Sequence, residues 1–225
     1  MIDDLQLTKM VKIYTIEGNI GSGKSTLVRI LKEYLNDNNE VIFLEEPVKI
    51  WETIKDKEGE TIISKFYNDQ EKYAFSFQMM AYISRLSMLK DAIKEHPNST
   101  IICERCLYTD KNVFAKMLYD DGKIGEIEYQ IYMKWFEEFI SEIPQDGIIY
   151  VKADPNISYE RVIKRSRKGE IIPLEYLKRC HTYHEEWIQS TSTDVLYLNA
   201  NQDKDFTTNA YRTWISNVIT FIDNK

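Results

Sequence analysis

A glycine-rich loop near the start of the chain has the residues and the spacing of a polyphosphate-binding site. Residues 18–25 read Gly-Asn-Ile-Gly-Ser-Gly-Lys-Ser and match the pattern G-x-x-x-x-G-K-[ST] at every specified position. Backbone N–H groups surround the phosphates in such loops, and Gly21 and Gly23 leave room where a side chain would block the approach. Lys24 would reach the β- and γ-phosphates, and the Ser25 hydroxyl would hold Mg²⁺. The loop therefore predicts a binding site for a nucleoside triphosphate.

Charged residues follow two other apolar runs, at 40–44 and 100–103, that have the composition of strands. A proline after Glu46 keeps this residue extended, so it is either a solvated corner residue or a general base. Glu104 and Arg105 come directly after the second run. A carboxylate and a guanidinium at that place either serve Mg²⁺ and phosphate or form a structural ion pair. The residues alone leave both interpretations open.

Two further groups of residues are candidate ligand contacts. Gln78 and Arg85 are seven residues apart in a predicted long helix, so they share one face. That face is either solvated or presents an amide and a guanidinium to a nucleobase. Positive charges are concentrated between Arg161 and Lys168, although the chain has a net charge of −7. This run is either a solvated helix face or a phosphate clamp, and the neighbouring Gly169 suits a closing lid.

The cysteine and histidine residues are weak indications of chemistry. Three cysteines, an odd number, suggest reduced thiols and no disulfide framework. Cys103 and Cys106 form a C-x-x-C pattern around a charged dipeptide, which favours a packing role over a redox role. Cys180, His181 and His184 resemble part of a metal site, but three ligands on one helix without a matching pair elsewhere rank low.

Strand-like and helical patterns alternate along the chain, and this alternation predicts the elements that position these residues. The predicted strands are 11–17, 40–44, 100–103, 148–151 and 195–198. The predicted helices are 26–35, 73–95, a helix capped by Thr109 or Asp110 that ends at Leu118, 127–143, a helix that starts at Pro155 and ends within 161–170, 173–191 and 206–222. The order predicts an α/β fold with a five-stranded parallel sheet and helices on both faces. No linker interrupts residues 1–225, so a single domain is expected.

Composition excludes several classes of protein. A net charge of −7 argues against a general nucleic-acid binder, which needs a basic surface. The sequence contains no run of 18 apolar residues, so no membrane span is predicted. The first residues are acidic and lack a signal sequence or an Arg-rich presequence. We therefore expect a cytoplasmic protein that binds small molecules.

Taken in order, these segments resemble the deoxynucleoside kinase family, which includes deoxycytidine and deoxyguanosine kinases. The likeness extends from Tyr14 to Phe206. It is carried by Ile16–Thr26, by Glu46-Pro47-Val48 with Trp51, by Phe77-Gln78 with Ser84-Arg85, by Glu104-Arg105 with Tyr108 and Asp110, and by Arg161, Arg165 and Arg167 followed by Ile172–Leu177. The resemblance implies a P-loop kinase fold with an Arg-rich lid at about residues 165–172. It also implies a homodimer, which is usual in the family.

The resemblance implies phosphoryl transfer from ATP, or another nucleoside triphosphate, to the 5′-hydroxyl of a deoxyribonucleoside. Glu46 would be the general base, while Arg105 and Lys24 would hold the transferring phosphate. Ser25 and Glu104 would hold Mg²⁺. The implied donor contacts are Gly18, Asn19, Ile20, Gly21, Ser22, Gly23, Lys24, Ser25, Thr26, Arg165, Arg167, Asp205 and Phe206.

The resemblance likewise implies how the acceptor is held. Trp51 and Phe114 would sandwich the base, and Gln78 would pair with its edge. Tyr67 and Glu170 would hold the 3′-hydroxyl. The implied acceptor contacts are Trp51, Tyr67, Gln78, Arg85, Arg105, Asp110, Phe114 and Glu170.

Three residues bear on the choice of base. Ala81, Arg85 and Asp110 match the deoxycytidine and deoxyguanosine kinases, and thymidine-preferring members lack this Arg–Asp pair. An Asp accepts from an exocyclic amine and an Arg donates to a ring acceptor, which favours deoxycytidine and purine deoxynucleosides over thymidine. The chain departs from the family at Cys106, where a serine is usual, and in a lid one residue shorter, with Gly169 in place of a glutamate.

Three other functions fit a P-loop. A nucleoside monophosphate kinase, such as a thymidylate kinase, needs extra cationic groups for the acceptor phosphate, where this chain has Glu46. A switch-type NTPase is disfavoured because no N-K-x-D motif follows the loop. A non-catalytic nucleotide sensor is disfavoured because base, metal and lid residues are all present.

Overall fold

A parallel sheet of five strands forms the centre of the computed structural model, which describes residues 11–35, 40–143, 145–167, 171–202 and 209–224. The strands are β1 (Lys12–Glu17), β2 (Val41–Leu44), β3 (Thr100–Glu104), β4 (Gly147–Lys152) and β5 (Val195–Asn199). Their order in the sheet is β2-β3-β1-β4-β5, and every neighbouring pair is parallel. The chain passes to one side of β1 for β2 and β3 and to the other side for β4 and β5. The carboxyl end of β1 is therefore at the point where ligands bind in such sheets.

Helices connect the strands and cover both faces of the sheet. They are α1 (Lys24–Tyr34), α2 (Val48–Trp51), α3 (Ile62–Asn68), α4 (Gln70–Glu95), α5 (Leu107–Thr109), a π-helix (Asp110–Ala115), α6 (Lys116–Asp120), α7 (Glu126–Ile140), α8 (Pro155–Arg165), α9 (Leu174–Ser190) and α10 (Asn209–Asp223). In the described ranges no helix combines the length and the apolar character that crossing a membrane requires.

The predicted α/β architecture is confirmed, and two of its details are corrected. Helices α2 and α3 were not predicted, because each is a short apolar segment of four or seven residues without a clear helical period. The prediction that Thr109 or Asp110 caps a helix is wrong. The helix begins at Leu107, Cys106 is in the N-cap position, and Thr109 belongs to the first turn, where its hydroxyl accepts the Cys106 N–H at 3.5 Å.

Apolar side chains cover the sheet on both faces, as expected for strands buried between two layers of helices. Successive residues of β1 point to opposite faces. Tyr14 and Ile16 pack in the layer formed with α1 and α10, and Ile13 packs in the layer formed with α4 and α7. Each fully buried side chain of this kind contributes about 1.5–3 kcal/mol. These two layers hold the strand ends, and the residues that follow them, in fixed positions.

Candidate active site

A cavity of about 320 Å³ opens at the carboxyl ends of the strands, next to the glycine loop. Its volume is that of a small-molecule site. The residues from the sequence prediction that line it are Ile20, Gly21, Gly23, Lys24, Ser25, Thr26, Glu46, Trp51, Tyr67, Gln78, Arg85, Glu104, Arg105, Asp110, Phe114, Arg165 and Arg167. Segments far apart in the sequence thus meet at one place.

Some predicted residues are not in the cavity wall. Gly18, Asn19 and Ser22 belong to the glycine loop, but they support the loop and do not line the cavity. Asn19 Nδ2, for example, donates to the Leu177 carbonyl at 2.8 Å. Glu170, Asp205 and Phe206 lie outside the described residues, as do 168–170 of the predicted lid.

The glycine loop has the backbone conformation of a phosphate-binding turn. Gly21 and Gly23 have φ values of 80° and 106°, in the region that favours glycine. A Cβ on Gly21 would also be 2.4 Å from the Ser158 carbonyl oxygen, so no side chain fits there. Helix α1 starts at Lys24, and its N-terminus directs unpaired N–H groups and a partial positive charge towards the loop. This arrangement attracts an anion.

Lys24 crosses the loop and donates from Nζ to the Asn19 carbonyl at 2.8 Å. Its pKa is lowered to about 7, because burial disfavours the ammonium and the Arg105 guanidinium repels it. Glu104 and Glu46 offset part of this effect. A bound polyphosphate would add negative charge and restore the ammonium form.

Glu46 and Glu45 face different surroundings. Glu45 is exposed and pairs with Lys32, whereas Glu46 lies in the cavity. Glu46 Oε1 accepts from Arg105 Nε at 3.1 Å and from Arg85 Nη2 at 3.3 Å. Burial raises the pKa of Glu46, but Arg105, Arg85 and Lys24 outweigh burial and bring it to about 2. The carboxylate is therefore ionised and directed towards the glycine loop, and the solvated-corner interpretation is wrong.

A buried ion pair forms another part of the cavity wall. Arg85 Nε donates to Asp110 Oδ2 at 3.0 Å, and Arg85 Nη1 donates to the Glu104 carbonyl at 3.1 Å. Burial raises the pKa of Asp110 in spite of Arg85. Gln78 is 2% exposed, and its Oε1 has no hydrogen-bond partner among the described residues. An amide oxygen left unpaired beside a cavity fits contact with a ligand.

Arg105 combines a strained backbone with a well-held side chain. Its φ of 64° is in the left-handed region, which costs a residue other than glycine of the order of 1–3 kcal/mol. The guanidinium donates from Nη1 to the Gly18 carbonyl at 3.2 Å and lies 4.9 Å from the centre of the Phe114 ring. It thus stands between the glycine loop and Glu46. Strain of this kind is typical of functional sites.

Ser25 and Glu104 form a set of oxygen atoms that fits Mg²⁺. Ser25 Oγ donates to Glu104 Oε1 at 2.7 Å beside the glycine loop. Hydroxyl, carboxylate and phosphate oxygens are the ligands that Mg²⁺ prefers, and it usually keeps several waters. No group of three or more His, Cys, Asp or Glu side chains in the described ranges could hold a metal. Two protein oxygens completed by phosphate and water match Mg²⁺ bound with a nucleotide.

Aromatic side chains form the rest of the wall. Trp51 Nε1 donates to Ser84 Oγ at 2.9 Å, which fixes the indole against the cavity. Phe66 and Ile63 of α3 also line the cavity, and the sequence prediction missed them. Phe66 stacks on Phe77 with ring centres 4.6 Å apart. The spacing of Ile62, Ile63, Phe66 and Tyr67 is the helical signal that could have located them.

The basic run places its arginines at the cavity. Arg165 and Arg167 line it beside the glycine loop. Arg161 donates from Nη1 to the Ser22 carbonyl at 3.3 Å and from Nη2 to the Ala200 carbonyl at 2.9 Å. This side chain therefore links the loop to the segment after β5.

The thiols and His184 are packing groups. Cys103 and Cys106 are buried, and burial raises the pKa of the Cys103 thiol to about 12. Cys180 is also buried, and its carbonyl lies 2.7 Å from His184 Nδ1 within α9. Burial lowers the pKa of His184 well below its usual value. Neutral thiols of this kind are unreactive.

A parallel sheet with this loop after β1, and with a carboxylate and arginines facing the loop, defines a P-loop phosphotransferase. The comparisons with known proteins give its family. A model of the deoxynucleoside kinase family matches residues 14–223. The chain belongs to the deoxynucleoside kinase family, and it is a kinase that takes a nucleotide as phosphate donor and a nucleoside as acceptor.

The chain is similar to several curated kinases over most of its length. A probable deoxycytidine kinase of fowlpox virus is 35% identical over 229 residues, which cover 98% of this chain and 92% of the relative. The mitochondrial deoxyguanosine kinase of Xenopus laevis is 32% identical over 89% of this chain and 84% of the relative. Human deoxycytidine kinase is 35% identical over 84% of this chain and 80% of the relative.

Proposed function

We propose that this kinase transfers the terminal phosphoryl group of ATP to the 5′-hydroxyl of deoxycytidine and of purine deoxynucleosides, in preference to thymidine. The observation that carries the proposal is the buried Arg85–Asp110 pair in the cavity wall. Relatives named as deoxycytidine and deoxyguanosine kinases support it.

The cavity has polar groups in three places, and a deoxynucleoside has three polar ends. Glu46 and Arg105 lie beside the glycine loop and suit the 5′-hydroxyl. Gln78 and the Arg85–Asp110 pair suit the base edge, with Trp51 and Phe114 against the ring faces. Tyr67, which also lines the cavity, is proposed to bind the 3′-hydroxyl together with Glu170.

The reaction needs alignment and charge neutralisation more than covalent chemistry. Glu46 takes the proton of the 5′-hydroxyl as its oxygen bonds to the γ-phosphorus. The bond from the γ-phosphorus to the bridging oxygen breaks, and ADP leaves. Arg105 and Lys24 hold the phosphoryl oxygens and neutralise their charge.

The donor is held by the glycine loop and by the basic run. Ser25 and Glu104 would hold Mg²⁺, which neutralises phosphate charge when it is bound. Arg165 and Arg167 bind donor phosphates as part of a lid at about residues 165–172. Asp205 and Phe206 are proposed to contact the base of the donor.

The Arg85–Asp110 pair accounts for the base preference. Cytosine and adenine carry an exocyclic amine that donates to Asp110, while Arg85 donates to a ring nitrogen. Guanine offers a carbonyl and N7, which Arg85 can meet. Thymine has a carbonyl and a methyl group in place of the amine, so it offers Asp110 no donor and places a carbonyl oxygen against the carboxylate. An unmatched buried polar group lowers the rate for the wrong substrate.

We also infer a homodimer formed by α4 and α7. Ile127, Ile131 and Trp135 follow one another at four-residue spacing on α7 and are 75%, 42% and 48% exposed. Ile83 on α4 is 53% exposed, and the two helices pack together through a hydrogen bond from the Tyr82 hydroxyl to the Trp135 carbonyl at 2.9 Å. Large apolar groups grouped on one surface are typical of an interface.

The extent and the location of the enzyme are proposals of the same kind. We infer that residues 1–225 form one kinase domain, since the family match extends over residues 14–223. Buried, unpaired cysteines suit the reducing cytoplasm. Microscopy of a fluorescent fusion tests this location, and a mitochondrial signal would contradict it.

One assay tests the proposed reaction. Purified protein, ATP and Mg²⁺ are incubated with each of the four deoxynucleosides, with each of their monophosphates, and with no acceptor. ADP and product are then measured. We expect kcat/KM to be highest for deoxycytidine or a purine deoxynucleoside and lowest for thymidine. Preference for thymidine would contradict the base assignment, preference for a monophosphate would indicate a nucleoside monophosphate kinase, and ADP release without acceptor would indicate an NTPase.

A further inference from the structure

Glu17 is a fully buried carboxylate that the proposed chemistry does not use. It is the last residue of β1, directly before Gly18, and is 0% exposed. Its Oε2 accepts a hydrogen bond from Thr109 Oγ1 at 2.5 Å. Its Oε1 has no hydrogen-bond partner among the described residues. A carboxylate buried with so few partners is costly, so its presence needs a reason.

The end of β1 holds the turn that follows β3 at two points. The Arg105 N–H donates to the Ile16 carbonyl at 3.0 Å, and the next residue of β1, Glu17, binds Thr109. Thr109 in turn accepts the Cys106 N–H at 3.5 Å. The segment that contains the left-handed backbone of Arg105 is therefore attached to β1 at both ends, at Arg105 N–H and at the Thr109 hydroxyl. A strained conformation persists only when its surroundings fix it in this way.

The same contact reaches the acceptor side of the cavity. Thr109 is followed by Asp110, which binds Arg85, and Arg85 binds Glu46. The strand that leads into the glycine loop is thus connected to the carboxylate proposed as the base through the peptide bond from Thr109 to Asp110 and two further contacts. The negative charge of Glu17 also favours the charged forms of nearby Lys24 and Arg85, although burial acts against both.

We propose that Glu17 is a positioning residue: through Thr109 it holds Arg105 in its left-handed conformation and sets Asp110 in register with the glycine loop. The inference rests on the proposed function, because Arg105 and Asp110 matter only if they contact phosphate and base. Glu17 itself touches neither substrate.

Substitution of each partner tests the contact. Glu17→Gln keeps the shape but weakens the bond to Thr109, and Thr109→Val removes the hydroxyl at nearly constant volume. We expect either change to lower kcat by about 10- to 100-fold, since small misplacements of reacting groups have effects of that size. We expect the ratio of kcat/KM for deoxycytidine over thymidine to fall as well, because Asp110 moves. Thr109→Ser keeps the hydroxyl and should restore both quantities.

The double variant and a control separate positioning from general stability. Glu17→Gln combined with Thr109→Val should be no more impaired than Thr109→Val alone, because Thr109→Val already removes the contact with Glu17 together with the bond from the Cys106 N–H. Thr15→Val is the matched control, since Thr15 is buried two residues earlier in β1 and its hydroxyl accepts from Gln145 Nε2 at 3.3 Å. It should keep kcat and the base ratio within about twofold of the wild type.

Two kinetic outcomes and one structural outcome would overturn the proposal. Glu17→Gln with wild-type kcat and base ratio would do so, and so would a loss of activity equal to that of Thr15→Val with the base ratio unchanged. A crystal structure of Glu17→Gln gives a reading that does not depend on activity, since we expect Arg105 to leave the left-handed region, and an unchanged Arg105 would contradict the inference. A wild-type protein inactive on every deoxynucleoside would refute the proposed function instead, and the crystal structure would still decide the role of Glu17.

Discussion

Glu45 and Glu46 are adjacent in the sequence, yet only Glu46 lies among buried guanidinium groups. We predict that Glu46→Gln lowers kcat by about 10²- to 10⁴-fold, the usual contribution of a general base, while the Kd for ATP stays near that of the wild type. Steady-state kinetics and calorimetric titration with ATP measure the two effects. Glu45→Gln is the matched control and should remain fully active. Near-normal turnover by Glu46→Gln would remove this residue from the base role.

The lowered pKa of Lys24 leads to a prediction of how donor binding depends on pH. Its pKa is lowered from 10.5 to about 7 in the protein alone, so the ammonium is charged below that pH and largely neutral above it. Only the charged form attracts phosphate, so we expect the Kd for ATP to rise as the pH increases above about 7, by up to about tenfold per pH unit. Because the unfolded chain binds more protons in this range, the free energy of unfolding should rise with pH between about 7 and 10.5.

Calorimetric titration with ATP at a series of pH values checks the prediction for Lys24. Lys24→Met is the control, because it keeps the titration of ATP itself and removes that of the lysine. Its Kd should be weak and nearly independent of pH. A wild-type profile parallel to that of Lys24→Met would contradict the assignment.

Among the elements, the turn from β1 into α1 depends most on backbone shape. Gly21→Ala would need a residue with φ of 80° whose Cβ is 2.4 Å from the Ser158 carbonyl oxygen. We predict that this change moves the loop and weakens ATP binding by at least about 100-fold. Gly125→Ala, at the start of α7, is the control, since φ there is −71° and the nearest atom is an ordinary 3.5 Å away. Titration with ATP and thermal unfolding distinguish the two, and tight ATP binding by Gly21→Ala would refute the prediction.

The elements that sequence reasoning located are those with a strong local pattern. Alternating strands and helices predicted the whole sheet, because its strands are apolar runs bounded by turn residues. The turn after β3 was harder. Thr109 has the chemistry of an N-cap, but a cap needs an extended backbone, and tertiary contacts give that conformation to Cys106 instead. The π-helix that follows starts at Asp110 and depends on packing that no local pattern encodes.

At the scale of the whole molecule, the exposed apolar surface of α4 and α7 predicts association. We expect the wild type to have the mass of a dimer in size-exclusion chromatography with light scattering. Ile131→Glu should place a charge in the interface and give a monomer. Ile163→Glu is the control, because Ile163 is 57% exposed on α8, away from that surface, and this variant should remain dimeric. A monomeric wild type, or a dimeric Ile131→Glu, would contradict the inferred interface.

The arrangement of the site could be predicted in part. Motifs indicated Lys24, Glu46 and Arg105, because each follows a strand and parallel strands end at one edge. Glu17 belongs to the matched segment Ile16–Thr26, but no role was predicted for it, since the sequence does not show the contacts of a carboxylate at the end of a strand until the structure places it against Thr109. Which arginines face Glu46, and with what effect on its pKa, depends on distances that only the folded chain sets.

The two guanidinium groups that bind Glu46 would also affect how much ATP is hydrolysed when no acceptor is bound. Glu46, with a pKa of about 2, is a weak base. A water molecule near the γ-phosphate has no group that would draw Arg85 away from Glu46. In the proposed reaction a deoxynucleoside would do so, because its nucleobase would engage Arg85 and leave Glu46 more basic. The acceptor would therefore raise the basicity of Glu46, the carboxylate proposed to deprotonate it. The same ion pairs would thereby restrain hydrolysis of ATP when no acceptor is bound.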